Sequence, residues 1–217
     1  MKENDGMAVD GMVDKARWIS WAMELQALGQ AGEAYTSNVF DQERYQRVRQ
    51  IAAEMMAMGT STTLEEVSGL FCNETGYQTP KLDTRTAVVK DGKILLVQES
   101  DGLWALPGGW ADVGLTIMEN AAKETLEEAG IVIKPRRLIA LLDRGRNNAG
   151  DSPYSIQKAF VLGEAQGGEF TPNAETLDSG YFSLDELPPL AEAKTTRAQL
   201  AMCLEAAANE CWEAVFD

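Results

Sequence analysis

The sequence has no histidine among its 217 residues. That absence removes every mechanism that turns on an imidazole: a Ser-His-Asp triad, a Cys-His pair and an HExxH zinc helix are all excluded. Cysteine is scarce as well, with single residues at positions 72, 203 and 211, too few for a four-thiolate zinc site. Cys203 and Cys211 fall eight apart on an expected helix, beyond the reach of a disulfide. A sparse, odd count suits a reducing compartment, and a cytoplasmic location is expected. No apolar run approaches the roughly 18 residues of a membrane span. The opening MKENDGMAVDG is too polar for a signal peptide. Positive charge is in deficit, with 19 Lys and Arg against 34 Asp and Glu, a net charge of −15. Such a chain repels phosphate backbones, so nucleic acid is not expected as its main partner. What survives these exclusions is chemistry by carboxylates, with a hard metal ion as their natural companion.

What is present is a globular composition, 45% apolar and 24% charged. After a polar, glycine-containing start the period becomes helical. Trp18, Trp21, Ala22, Leu25 and Leu28 form one stripe at i, i+3, i+4 and i+7, and Gly29 and Gly32 are expected to weaken that helix. A second helix is predicted from an Asp41 N-cap to Gly59, with Tyr45, Val48, Ile51, Ala52 and Met55 on one face. A third begins at a Thr63–Glu66 capping box and buries Val67, Leu70 and Phe71. The tryptophans read as core or subunit interface rather than as a ligand cage. So much apolar face on a small helical unit predicts a homodimer.

GYQTPKLD (76–83) reads as the linker, dividing the chain into a helical domain, 1–78, and a second domain, 79–217. Strands are expected over 84–89 and 93–98 around Lys90-Asp91-Gly92, a hairpin signal. A helix follows from Thr116 to Ala129, stopped by Gly130, then a strand-rich stretch over 131–143, a loop over 145–153 and a strand over 154–162. A short β segment at 181–183 and a helix from about Thr195 to Cys211 complete the pattern. Strands interrupted by one helix and closed by another indicate an α/β or α+β sandwich.

The most informative stretch is GGWADVG (108–114) with the helix that ends KETLEEAGI (123–131). Glu124, Glu127 and Glu128 stand at i, i+3 and i+4 and share one face. Three carboxylates so placed repel one another unless a cation sits among them, and oxygen-only ligands select Mg²⁺, Mn²⁺ or Ca²⁺. The alternative is a solvated acidic face. The Gly-Gly turn before the helix, which permits close backbone approach, favours the metal.

This segment resembles the Nudix box, G-x5-E-x7-R-E-U-x-E-E-x-G-U with U bulky and apolar. Gly109, Glu124, Glu127, Glu128, Gly130 and Ile131 match it. Leu115 replaces the first glutamate, Lys123 the arginine and Thr125 the apolar residue. LPGG before the box and FSLDELP (182–188) after it are typical of the same family, and the match covers residues 83–217. The N-terminal WISWAMELQALGQAGEAYT and FDQERYQRVRQIAAEMMA resemble the helical extension of a Nudix subgroup described as ADP-ribose and CDP-choline pyrophosphatases.

The resemblance implies an α/β/α sandwich with a mixed sheet behind a small all-α domain. It implies hydrolysis of a nucleoside diphosphate linked to another moiety, giving a nucleoside monophosphate and a phosphorylated product. Mg²⁺, with Mn²⁺ as a substitute, would be held by Glu124, Glu127, Glu128 and the carbonyl of Gly109. With histidine absent the proton acceptor must be a carboxylate: Glu127 or Glu128 within the box, or Glu175 on the later loop that some Nudix enzymes use, where Asp178 also lies. Among the cations Arg144 is the first candidate for a phosphate contact, with Arg85 and Lys158 as alternatives. Trp104 could stack on a base or sugar, or be a strand-end core residue. Loss of the first box glutamate at Leu115 leaves a non-catalytic nucleotide-sensing module open as a second reading, and the related phosphodiester chemistry leaves open an enzyme with secondary RNA-processing activity.

Overall fold

The computed structural model describes residues 15–60, 62–71 and 74–217. Two compact units meet at the Thr79/Pro80 boundary.

The first unit holds α1 (Lys15–Tyr35), α2 (Val39–Gly59) and α3 (Leu64–Phe71). Ile19 and Ala22 of α1 pack with Ala52, Ala53 and Met56 of α2 and Val67 of α3. Trp18 is partly buried, and its indole N–H donates to the Met55 carbonyl at 2.8 Å. Trp21 and Leu28 of the expected stripe are exposed. The second helix starts earlier than expected. Asn38 is its cap, its side-chain oxygen accepting from Phe40 and Asp41 N–H, and Asp41 sits in the first turn. The third helix has the expected box: Thr63 Oγ1 accepts the Glu66 N–H at 3.3 Å, and the Glu66 carboxylate accepts the Thr63 N–H at 2.9 Å. Cys72 and the side chains of Leu70 and Phe71 lie outside the described residues.

Gly29 and Gly32 do not weaken α1, which runs through both. They bring α2 close instead. A Cβ on Gly32 would stand 2.3 Å from the Tyr45 ring, and one on Gly29 would stand 2.7 Å from Arg49 Cγ. Helix packing here outweighs the propensity cost of about 1 kcal/mol per glycine.

The second unit is a seven-stranded mixed sheet. Its strands are β1 (Lys81–Lys90), β2 (Lys93–Glu99), β3 (Trp104–Ala105), β4 (Ile131–Asp143), β5 (Ile156–Gly168), β6 (Thr176–Phe182) and β7 (Val215–Phe216). The order is β3-β2-β1-β5-β4-β7, with β6 also paired to β2. β1 and β2 join through Asp91 (φ 50°) and Gly92 (φ 74°), a two-residue turn whose left-handed backbone matches strand twist. β1 runs parallel to β5, and β4 antiparallel to it.

Consecutive residues of β2 face opposite ways. Ile94 and Leu96 enter a core with Trp104, Ile139, Phe160, Leu200 and Cys203, while Leu95 and Val97 pack with Ala129 and Ile133. The first core is covered by α6 (Arg197–Ala208), the second by α4 (Ile117–Ala129), which gives the expected α/β/α sandwich. The 144–153 region opens with a helical turn, α5 (Arg144–Asn147), capped by Asp143. β6 is longer than expected because five of its pairings to β2 precede Phe182 in register.

Candidate active site

Helix α4 is framed by strong local signals. Thr116 and Glu119 make a capping box at its start, and Gly130 ends it at φ 66°. A Cβ on Gly130 would come within 2.2 Å of the Glu169 carbonyl oxygen, so this stop depends on glycine. The fully buried Asn120 locks the preceding loop to the sheet. Its amide nitrogen donates to Thr84 Oγ1 at 2.8 Å and to the Trp110 carbonyl at 3.2 Å, and its oxygen accepts the Asp112 N–H at 3.0 Å. Thr125, the unexpected polar residue of the box, is satisfied inside the helix by a 2.7 Å bond to the Ala121 carbonyl.

On the sheet, Asp83 and Arg85 stand two apart on β1 and so share a face, and Lys158 of β5 is the direct register partner of Asp83. Arg85 grips Asp83 with both ends of its fork, at 3.0 and 3.1 Å, and donates to the Leu106 carbonyl at 3.2 Å. Burial opposes the Arg85 charge, but the charge and hydrogen bonds of Asp83 outweigh it and raise its pKa.

These elements open onto one cleft of about 550 Å³. Gly109, Glu124, Glu127, Glu128, Glu175, Arg85, Arg144 and Lys158 all line it. Glu128 is largely buried and accepts the Gly108 N–H at 2.8 Å. Desolvation pushes its carboxyl up to about 7, against that hydrogen bond and the Arg85 charge, with Glu124 and Glu99 adding to the rise. The Lys123 ammonium lies 3.0 Å from Glu124, 2.9 Å from Glu127 and 3.3 Å from Asp112. Hydrogen bonds to Glu127 and then Glu124 raise its pKa. Lys123 thus steadies Glu127 as a point charge rather than through a fork.

Among the described residues no three acidic groups already converge on one point. The donor set nevertheless fits a hard divalent ion. It is all oxygen, it spans little more than one helical turn, and it includes a buried carboxylate whose charge the protein's own cations do not fully offset.

Gly109 lines the cleft with the glutamates. Its carbonyl oxygen accepts the Thr84 N–H at 2.8 Å, tying the turn to β1. Its bare Cα gives room to Glu124, since a Cβ there would lie 2.8 Å from Glu124 Oε2. Gly108 has φ 144°, and a Cβ on it would strike the Thr84 carbonyl at 1.9 Å.

Arg144 is in the cleft, but its guanidinium already donates to the Gly150 and Ala149 carbonyls at 2.7 and 3.0 Å and so shapes the 148–150 loop. Lys158 is buried and donates to Asn148 Oδ1 and to the Lys194 carbonyl. Burial, and secondarily the Arg85 charge, push its ammonium down to about 7.

Glu175 comes from a loop held by Asn173. The Asn173 oxygen accepts the Glu175 N–H at 2.9 Å, and its amide nitrogen donates to the Glu127 carbonyl at 2.9 Å. Trp104 is not in the cleft. It is 8% exposed and stacks edge-on against Phe182 at 4.8 Å, so it is a core residue. Asp83, Asp112, Trp110 and Lys194 are cleft residues that sequence reasoning missed. Asp83 and Arg85 alternate on one strand face, which was a usable signal, whereas Lys194 comes from a loop with no pattern.

Residues 80–202 match the NUDIX domain model, and residues 16–71 match a model described as a UDP-X-like, N-terminal oligomerisation domain. A Bacillus subtilis (strain 168) protein, YjhB, whose name places it provisionally among the ADP-ribose pyrophosphatases, is 37% identical over 94% of this chain and 98% of its own. The crystal structure of an ADP-ribose pyrophosphatase from Streptococcus suis 89-1591 shares 54% identity, with a TM-score of 0.61, over 64% of this chain and all of that one. That of a UDP-X diphosphatase shares 29% identity, with a TM-score of 0.60, over 94% of this chain and all of that one. The chain belongs to the Nudix hydrolases, enzymes that cleave pyrophosphate bonds, and it carries the helical N-terminal domain of their UDP-X-like members.

Proposed function

We propose that the enzyme hydrolyses a nucleoside diphosphate linked to a second moiety, of the ADP-ribose or CDP-choline type, to a nucleoside monophosphate and a phosphorylated product. One observation carries this reading: carboxylates from α4 and cations from β1 and β5 line one and the same cleft. A pyrophosphate bridging the two brings its charge to Arg85 and Lys158, while Glu124, Glu127 and Glu128 hold Mg²⁺, or Mn²⁺ in its place. When bound, that ion acts as a Lewis acid on the phosphate and makes water easier to deprotonate.

Water attacks one phosphorus, and the P–O bond to the bridging oxygen breaks. The departing phosphate keeps the electron pair, and the water proton goes to a carboxylate oxygen. Glu175 is best placed to take it, because it enters the cleft from a separate loop fixed by Asn173 to α4. Glu127 and Glu128 are occupied by cations in this reading. The test is a panel of nucleoside diphosphate derivatives with Mg²⁺, products identified by mass, on wild type, Glu175→Gln and Glu127→Gln. Expected are a nucleoside monophosphate product and a loss of about 10²-fold or more in kcat for Glu175→Gln. Wild-type rates in Glu175→Gln would move the base into the helix, and no cleavage of any panel member would sink the reaction.

The helical domain, 1–78, is read as a homodimer interface ahead of a catalytic domain, 79–217. Trp21, Leu28, Tyr35, Phe40 and Met58 are large apolar side chains left exposed on it, more than an isolated helical unit leaves to water. Sedimentation of the intact chain should give twice the chain mass, and a clean monomer would refute this. The sparse cysteines keep a cytoplasmic setting as the accompanying expectation, and no helix among the described residues is long and apolar enough to cross a membrane.

A further inference from the structure

Beside the catalytic cleft lies a second recess of about 390 Å³, lined by Lys81, Leu82, Trp110, Ala111 and Tyr154. Trp110 lines both, so the two are neighbours. Its indole is half exposed although it sits in a loop clamped by Asn120 and bridged to β1 at Asp83. An exposed tryptophan on a fixed backbone offers a rigid ring at little entropic cost on binding. Tyr154 stands edge-on to it, ring centres 6.4 Å apart and planes at 86°. The Lys81 ammonium lies 5.1 Å from the Tyr154 ring centre. The recess therefore combines two aromatic side chains and one cationic group, with Leu82 and Ala111 completing its lining.

We propose that the Trp110–Tyr154–Lys81 recess is the nucleobase subsite, which places the nucleoside half of the substrate at the start of β1 and leaves the second moiety on the far side of the carboxylates. This inference rests on the nucleoside diphosphate reading and deepens it. The occupant follows from chemistry. Aromatic walls take either a planar heterocycle or a quaternary ammonium group. The Lys81 ammonium already lies over the Tyr154 ring, so a second cation would have to displace it. A base presents a π-face to Trp110 and ring-nitrogen or carbonyl acceptors to Lys81. A choline-type headgroup would not use the Lys81 donor, so a base fits this recess better.

The test uses the two halves of the substrate separately. AMP, ribose 5-phosphate and phosphocholine are titrated calorimetrically into the full-length wild type, Trp110→Ala, Trp110→Phe and Lys81→Met in Mg²⁺ buffer. In Trp110→Ala the AMP dissociation constant should rise about ten- to a hundredfold, with ribose 5-phosphate and phosphocholine changed less than about twofold. Trp110→Phe should keep most of the affinity, which guards against a folding defect in the alanine variant. Lys81→Met should weaken AMP and leave phosphocholine no weaker. Loss of ribose 5-phosphate or phosphocholine with AMP unchanged would overturn the assignment, as would no change in any of the three. Failure of the parent reading looks different: AMP binding would depend on Trp110 while the wild type cleaved no nucleoside diphosphate derivative.

Discussion

Glu128→Gln should lose about 10³-fold in kcat, with KM nearly unmoved, and should at the same time make the metal-free protein more stable above pH 7. Both effects come from one feature. Glu128 is a carboxylate held in a largely dehydrated place, where its charge is disfavoured and its pKa stands at about 7 against an ordinary 4.5. The native state therefore binds a proton that the unfolded chain releases between those two values. Its contribution is least unfavourable at low pH and worsens as pH rises through 4.5 to 7, amounting to roughly 3 kcal/mol above both. Glutamine has the same shape, can accept the Gly108 N–H through its amide oxygen and carries no charge. Thermal unfolding in EDTA at pH 8 should show the variant melting above wild type, with the gap closing by pH 5. Formation of the nucleoside monophosphate from the preferred substrate should all but stop. A variant that is inactive and less stable at pH 8 would mean that Glu128 is a structural acceptor. Near-wild-type turnover would remove it from the metal site.

Much of this was readable because local signals agreed with the global fold. Thr116, Glu119 and Gly130 fix the ends of α4 by capping alone, so the face shared by Glu124, Glu127 and Glu128 followed from spacing. The Asp91-Gly92 turn fixed the first hairpin for the same reason. The failures have a different cause. Gly29 and Gly32 look like helix breakers until Tyr45 and Arg49 of a neighbouring helix are seen against them, a tertiary reason that no window of sequence contains. Trp104 and Trp110 flank the same glycines and cannot be ranked by type. Strand pairing puts the first against Phe182 in the core and leaves the second at the mouth of the cleft. Lys134, Arg136, Arg137, Arg144 and Arg146 are close in sequence but do not gather at the cleft. Instead Arg136 pairs with Glu164, Arg137 donates to the Asn209 and Glu210 carbonyls at the end of α6, and Arg144 alone turns into the cleft. Along β4 the burial pattern spreads these charges over both faces and the strand end, so nearness in sequence did not become nearness in space.

The second large effect concerns a pair that the sequence offered only in part. Arg85→Ala should destabilise the catalytic unit by about 3–5 kcal/mol, because it strands Asp83 as a buried charge. Both side chains are less than 10% exposed, and the fork of Arg85 satisfies both Asp83 oxygens. Lys158, opposite Asp83 in register, cannot replace that fork, since its own ammonium is already directed to Asn148 and the Lys194 carbonyl. Arg85→Lys keeps the charge but not the two-point geometry and should fall between. The double variant Asp83→Ala/Arg85→Ala removes both charges together and should recover at least about 2 kcal/mol relative to the sum of the single losses. It also separates structure from function. If Arg85 meets the pyrophosphate, the folded double variant should bind substrate about tenfold more weakly. If it serves only to neutralise Asp83, KM will stay at the wild-type value once stability is restored. A melting temperature for Arg85→Ala within a few degrees of wild type would contradict the buried-pair argument itself. A fall of roughly 10 °C is the expected reading.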